Sequence, residues 1–232
     1  KIKNKEIRPK KFINLNNRPH WHRLALADKI LRNQFEKEMI FSISNKLYFE
    51  KDVDLTGPDA LLFLKNNNID VVLQKMPIVY DAPSIKELLY KEGQLSAYID
   101  IVSETYGYNP TDLVLGNMLP SFFSEKTFKS IVSCQPFLQL NFAHSLKNLR
   151  NLGYQTFHPY INESYDNEEV FEKRLDSLFN EITRLKNFTY EELANLMLEL
   201  LPIIEHNLNN YINKREKEMD CSIVFRKILE NN

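Results

Sequence analysis

An α/β fold, with a doubly wound and mostly parallel sheet followed by C-terminal helices, is predicted by three features of the sequence. Between residues 11 and 160, short β-leaning runs alternate with helical patterns. Parallel neighbours need crossover connections, so this alternation favours a parallel sheet. Turn residues such as Asn17-Arg18-Pro19 and Gly153 separate the runs. Beyond Phe157 the chain reads as three long helical patterns, 167–186, 190–212 and about 214–230. Residues 10–165 are therefore expected to form the sheet domain, with 166–232 a helical extension packed on it.

The first strand is the apolar run 11–16, and an amphipathic helix follows from His20 to Phe35. Residues 39–44, Met-Ile-Phe-Ser-Ile-Ser, read as a second strand, and Thr56-Gly57-Pro58-Asp59 opens a short helix with a Thr cap. Residues 71–73 and 78–80 are strand candidates in a stretch made loop-rich by Asn66-Asn67-Asn68, Pro77 and Pro83. The alternating, β-branched run 97–103 is a strand with Glu104 and Thr105 at its C-terminal end. After a loop through Gly107, Asn109-Pro110, Gly116 and Pro120, Ser124 caps a helix to about Ser133. A strand follows over 135–140, then a helix over 144–152, stopped by a left-handed Gly153.

Composition removes several function classes. Thirty Lys+Arg against 31 Asp+Glu give a net charge of −1, which leaves no global field for nucleic acid or anionic lipid, so an anion site must be local. Cys134 and Cys221 lie outside any disulfide or zinc-ligand pattern, and a reducing cytoplasm fits them. No run reaches the ~20 apolar residues of a membrane span. The basic residues 1–11 lack the apolar stretch of a signal peptide. With five glycines and no Gly-x-x-x-x-Gly-Lys loop, phosphoryl transfer on that motif is disfavoured. The chain opens without an initiator Met, an opening that a fragment of a longer protein would share.

Ligands of doubly wound sheets bind beyond the C-terminal strand ends, which singles out three clusters. The first is Asn14, Asn16, Asn17, Arg18, His20, His22 and Arg23, where cations meet a helix N-terminus. Backbone N–H groups and guanidinium forks suit an anion there, although a solvated basic helix start has the same composition. The second is Glu104, either a hydroxyl acceptor for a ribose or sugar or an ordinary acid. The third is Ser124-Glu125-Lys126-Thr127. Lys126 in the first turn opposes the helix dipole, which makes sense beside a bound phosphate, with Glu125 taking ribose hydroxyls. A simple capped helix start is the alternative. A fourth stretch, Glu163-Ser164-Tyr165-Asp166, either closes over a ligand or enters a helix with Asp166 as its cap. The spacing Asp52-Val53-Asp54 could chelate a divalent metal but reads as a solvated acidic loop, so no metal site is expected.

These clusters resemble the sugar-nucleotide half of the α-1,3-fucosyltransferase family and its viral and bacterial relatives. The resemblance rests on Asn17 to Arg23 after a first strand, then Ser103-Glu104-Thr105, then Ser124-Glu125-Lys126. The stretches Ser124-Glu-Lys-Thr-Phe-Lys-Ser-Ile131, Gln135-Pro-Phe-Leu138 and Leu149-Arg-Asn-Leu-Gly-Tyr-Gln-Thr-Phe157 are also similar to phage-type glycosyltransferase-like proteins. So is the opening Lys11-Phe-Ile-Asn-Leu-Asn-Asn-Arg-Pro-His-Trp-His-Arg23. The similarity covers roughly residues 10–170. It departs from the family where Phe-Glu-Asn becomes Ser-Glu-Thr and Thr-Glu-Lys becomes Ser-Glu-Lys.

The resemblance implies a Rossmann-like half of a GT-B glycosyltransferase. It implies that Arg23 and Lys126 hold the diphosphate of a GDP- or UDP-linked sugar, Glu125 the ribose, and Glu104 the sugar or its neighbourhood, with Asn17, Arg18 and Ser124 completing the donor site. The expected reaction is metal-independent, inverting transfer to a hydroxyl of a glycan or other acceptor. No cofactor beyond the NDP-sugar is required, and an acceptor domain is expected outside this chain. The setting is cytoplasmic, in the organism's own cell or, for a virus-encoded protein, the host's. The alternative is a non-catalytic binding or structural protein, such as a virion component, on the same fold.

Overall fold

The computed structural model describes residues 2–16, 20–43, 72, 75, 78–80, 94–105 and 123–230. The elements are β1 (Lys10–Asn16), α1 (Trp21–Arg32), β2 (Met39–Ile43), β3 (Ile78–Tyr80), β4 (Ala97–Ser103), α2 (Glu125–Val132), β5 (Phe137–Leu140), α3 (Ser145–Asn151), α4 (Phe171–Lys186), α5 (Tyr190–Glu199) and α6 (Leu201–Glu230). The helix expected at Thr56 and the loop from Gly107 to Pro120 lie outside the described residues, as do Asp52, Asp54 and most of 71–73.

The strands form one sheet in the order β3-β2-β1-β4-β5. Four strands, β2-β1-β4-β5, run parallel, with Phe12 opposite both Met39 and Ile99 and Ser103 opposite Leu140. The short β3 adds an antiparallel edge, Ile43 opposite Ile78. From β1 the chain winds outward to β2; from β4 it winds the other way to β5. The switch point therefore lies between the C-terminal ends of β1 and β4, where ligands of open parallel sheets bind.

Central burial explains the strand composition. β1 and β4 have neighbours on both edges and layers on both faces, so Phe12 and Ile13 are both fully buried and neither strand alternates cleanly. Helix α2 covers the face that carries Asp100 and Gln139: Ser130 Oγ donates to Asp100 at 2.7 Å and Gln139 Nε2 donates to Thr127 Oγ1 at 2.7 Å. Leu178, Ile182 and Leu185 of α4, Leu193 of α5 and Ile204 of α6 join Phe12, Phe41 and Leu138 in one hydrophobic cluster. The Phe35 and Phe179 rings pack 5.0 Å apart.

Helix α3 ends as expected at Gly153 (φ 81°), with Tyr154 N–H closing back on Leu149 O at 3.3 Å. The tail differs from expectation. The break expected near residue 213 lies instead at Leu200, because Pro202 falls in the first turn of α6, where its missing N–H has no intrahelical partner to lose. The helix expected from 167 begins at Phe171, since 164–167 forms a separate 3-10 turn. β5 begins at Phe137 rather than 135; the Gln135 side chain donates instead to Ala97 O at 2.9 Å. No helix among the described residues is long and apolar enough to cross a membrane.

Candidate functional site

At the switch point, β1 presents Asn14 and Asn16 on one face, as period-two geometry requires. Asn14 Nδ2 donates to Ile101 O and, at 3.3 Å, to Ser103 Oγ, while Asn16 Nδ2 donates to Asn14 Oδ1 at 2.7 Å. These bonds tie the end of β1 to the end of β4. The first turn of α1 adds a second tie. His22 Nε2 donates to Glu104 O at 2.8 Å, and Arg23 Nη2 donates to Ser103 O at 3.2 Å and to Glu104 O at 2.9 Å. His22 is fully buried, and this burial, followed by the charge of Arg23, holds its imidazole well below the ordinary histidine pKa. A neutral ring facing a carbonyl carries its proton on Nε2.

Arg23 was expected to offer its guanidinium to a diphosphate. It is only 2% exposed and is engaged with the backbone carbonyls of Ser103 and Glu104, so it locks α1 to the end of β4. The acid expected to take a sugar or ribose hydroxyl, Glu104, is fully buried. Its Oε1 accepts the Ser124 N–H at 3.1 Å and the Thr127 hydroxyl at 2.6 Å, and its Oε2 accepts the Ser124 hydroxyl. A carboxylate satisfies the N-terminal donors of a helix and complements its dipole. Glu104 lies at a strand end as expected, and the first turn of α2 folds onto that acid, which was not expected. Ser124 and Thr127, one helical turn apart, were the available signal.

Glu125 and Lys126 face outward at this edge. Ser124 caps α2 as expected, its hydroxyl accepting the Lys126 N–H at 3.3 Å. The Lys126 side chain is 23% exposed and that of Glu125 80%, with Nζ 3.2 Å from Glu125 Oε1 and 3.4 Å from Ser124 Oγ. Burial works against the ionised form of Glu125, but the charge and hydrogen bond of Lys126, with Arg23 behind, outweigh it and hold the carboxyl below its ordinary value. Beside Lys126 lies a cleft of about 40 Å³ between Leu15, Asp100, Ser103 and Lys129. That is far below the ~300–1,000 Å³ of ligand pockets, so a nucleotide here would lie across the first turn of α2. Asn17 and Arg18 lie outside the described residues.

A polar chain runs inward from this turn. Thr127 Oγ1, which donates to Glu104, accepts from Gln139 Nε2, and Ser145 Oγ lies 3.3 Å from Gln139 Oε1. Ser145 Oγ also lies 3.0 Å from Asp166 Oδ1, which takes the Leu146 N–H at 2.9 Å. Asp166 therefore caps α3 and not α4, for which it was one sequence-based candidate. The 3-10 turn carries it back to the start of α3, where its carbonyl accepts the His144 N–H at 2.6 Å. Gln139 and Ser145 carried no sequence signal as site residues.

No family model matches the chain, and no curated protein or solved structure matches it either. Among the described residues, no group of three or more His, Cys, Asp or Glu side chains could hold a metal ion.

Proposed function

We propose that this chain is the nucleotide-sugar-binding α/β domain of a glycosyltransferase. It transfers a sugar from an NDP-sugar, GDP-fucose being one candidate, to an acceptor hydroxyl, with inversion and without a metal. The observation that carries this reading is Lys126 beside exposed Glu125 in the first turn of α2, at the C-terminal edge of the parallel sheet next to its switch point. A lysine opposes the dipole there, and an arriving anion would add to the balance that Glu104 and Glu125 begin. As the glycosidic bond to the donor breaks, negative charge grows on the departing diphosphate. A preorganised Lys126 and the helix N-terminus stabilise that charge more than they stabilise the bound ground state. Glu125 receives ribose hydroxyls, and Arg23 acts through the field that it already exerts on Glu125. The acceptor is a glycan or another hydroxyl-bearing molecule.

A second reading, a non-catalytic scaffold with the same fold, draws support from the inward engagement of Arg23 and Glu104. Calorimetric titration of the chain with GDP, UDP, GDP-fucose and UDP-glucose, in parallel with Lys126→Ala, separates the two. Binding of one nucleotide, lost in the variant, supports the donor site. No binding to any of the four selects the scaffold.

A further inference from the structure

Away from the sheet edge, a cleft of about 700 Å³ lies between residues 150–167 and Ile203 near the start of α6. Its size falls within the ~300–1,000 Å³ typical of small-molecule sites. Tyr154, Thr156 and Asp166 are buried at its floor.

The charged groups of the cleft are engaged internally, Arg150 with Glu163 and Asp166 with the start of α3. Glu163 Oε2 accepts Arg150 Nη1 at 3.2 Å and Thr156 Oγ1 at 2.7 Å, and its Oε1 accepts the Phe157 N–H at 2.6 Å. Burial pushes the Glu163 carboxyl up, against the pull of those hydrogen bonds and of Arg150. Asp166 is occupied by α3, so no open helix N-terminus faces the cleft either. A phosphate would find its one cation already paired, and a cation would find both acids engaged.

The outward lining consists of neutral groups that both donate and accept. The side-chain amides of Gln155 and Asn167 are exposed and have no hydrogen bond to another described residue, and the Ser164 hydroxyl lies beside them. Asn162 uses its Oδ1 for the Ser164 N–H at 3.0 Å, which leaves its NH₂ as a donor. Tyr154 and Ile203 supply apolar wall. Paired donors and acceptors over a partly apolar wall, with the charged groups already engaged, match a ligand with many hydroxyls, C–H faces and no charge.

We propose that this cleft binds a neutral saccharide of one or two pyranose rings. Its occupancy does not depend on the donor site at α2. If the donor reading holds, the polar chain from Glu104 to Asp166 joins the two sites structurally.

The test is saturation-transfer difference NMR on the full chain with glucose, N-acetylglucosamine, maltose and lactose as probes. It uses the wild type, Gln155→Ala/Asn167→Ala, His158→Ala and Lys126→Ala. His158 is an exposed lining residue, so its variant checks the location independently. The expected result is transfer to at least one probe, weakened about tenfold in the double variant through loss of two hydrogen bonds, weakened also in His158→Ala, and unchanged in Lys126→Ala. Absence of transfer from every probe, or transfer indifferent to the double variant, overturns the proposal. Transfer lost only in Lys126→Ala would put the sugar at the sheet edge and overturn it equally. The nucleotide titration is read separately, so either site can fail alone.

Discussion

Glu104 and Ser124, twenty residues apart, meet where β4 ends and α2 begins: the buried carboxylate accepts both the backbone N–H and the hydroxyl of the capping serine. Helix N-termini leave their first N–H groups without intrahelical partners, and here an acid from a neighbouring strand takes one of them while Ser124 serves Lys126. Glu104→Ala strips the acceptor from Ser124 and Thr127 at once. The expected loss is about 3 kcal/mol in urea denaturation, the scale for buried donors left without a charged acceptor. Glu104→Gln keeps one acceptor oxygen and should lose less. A Glu104→Gln variant of unchanged stability but lost nucleotide affinity would return this residue to the ligand.

His22 makes stability pH-dependent. Its folded pKa is depressed well below the ~6.5 of an unperturbed imidazole, by burial first and then by Arg23, with His20 and Lys126 adding to the effect. Below ~6.5 the unfolded chain binds a proton that the folded chain refuses. Stability is therefore full above that pH and falls as pH drops, by up to about 1.4 kcal/mol per unit from this group. His22→Gln can still donate to Glu104 O through its amide and does not titrate. The difference between the two proteins in urea midpoint should widen in favour of the variant from pH 7 to pH 5, and a constant difference would sink the idea.

The elements legible in the sequence were those whose signal is local. Residues 97–103 announce a strand by β-branching, Ser124 and Gly153 announce caps, and all three recur in the structure. The partners of Glu104 and Arg23 were not legible, because they depend on which strand end α1 and α2 pack against, and period and propensity say nothing of that. Asp166 shows the same limit: its capping chemistry was readable, but the helix it caps lies twenty residues earlier. The capping box of α5, Thr189 with Glu192, matches Ser/Thr-x-x-Glu at the start of the helical pattern 190–212. Pro202, too, marked the start of α6 in plain sequence.

Lys126→Ala should separate function from fold. Among the described residues its ammonium meets the exposed Glu125 at 3.2 Å and the Ser124 hydroxyl at 3.4 Å. Exposed ion pairs of this kind contribute about 0–1 kcal/mol, so thermal stability should scarcely move. Loss of a charge-assisted bond to a diphosphate is expected to weaken nucleotide binding at least about tenfold. Thermal denaturation beside the titration distinguishes the cases, since a large drop in melting temperature would make Lys126 structural.

Asp166→Ala tests whether the polar chain behind the sheet edge is structural. The carboxylate takes the Leu146 N–H at 2.9 Å, the Lys147 N–H at 3.3 Å and the Ser145 hydroxyl at 3.0 Å. Its removal uncaps α3, a seven-residue helix too short to persist without its ends and its packing. Loss of a capping acid costs about 0.5–2 kcal/mol, and two backbone N–H groups lose their acceptor at once, so about 2 kcal/mol is expected. Asp166→Asn keeps one acceptor and should recover roughly half. Hydrogen exchange gives the sharper readout. Amides at the start of α3 should lose protection in Asp166→Ala, while those of α4, whose Val170 cap uses no side chain, should keep theirs. Loss of protection in α4 alone would mean that Asp166 serves the helix that follows it in sequence after all.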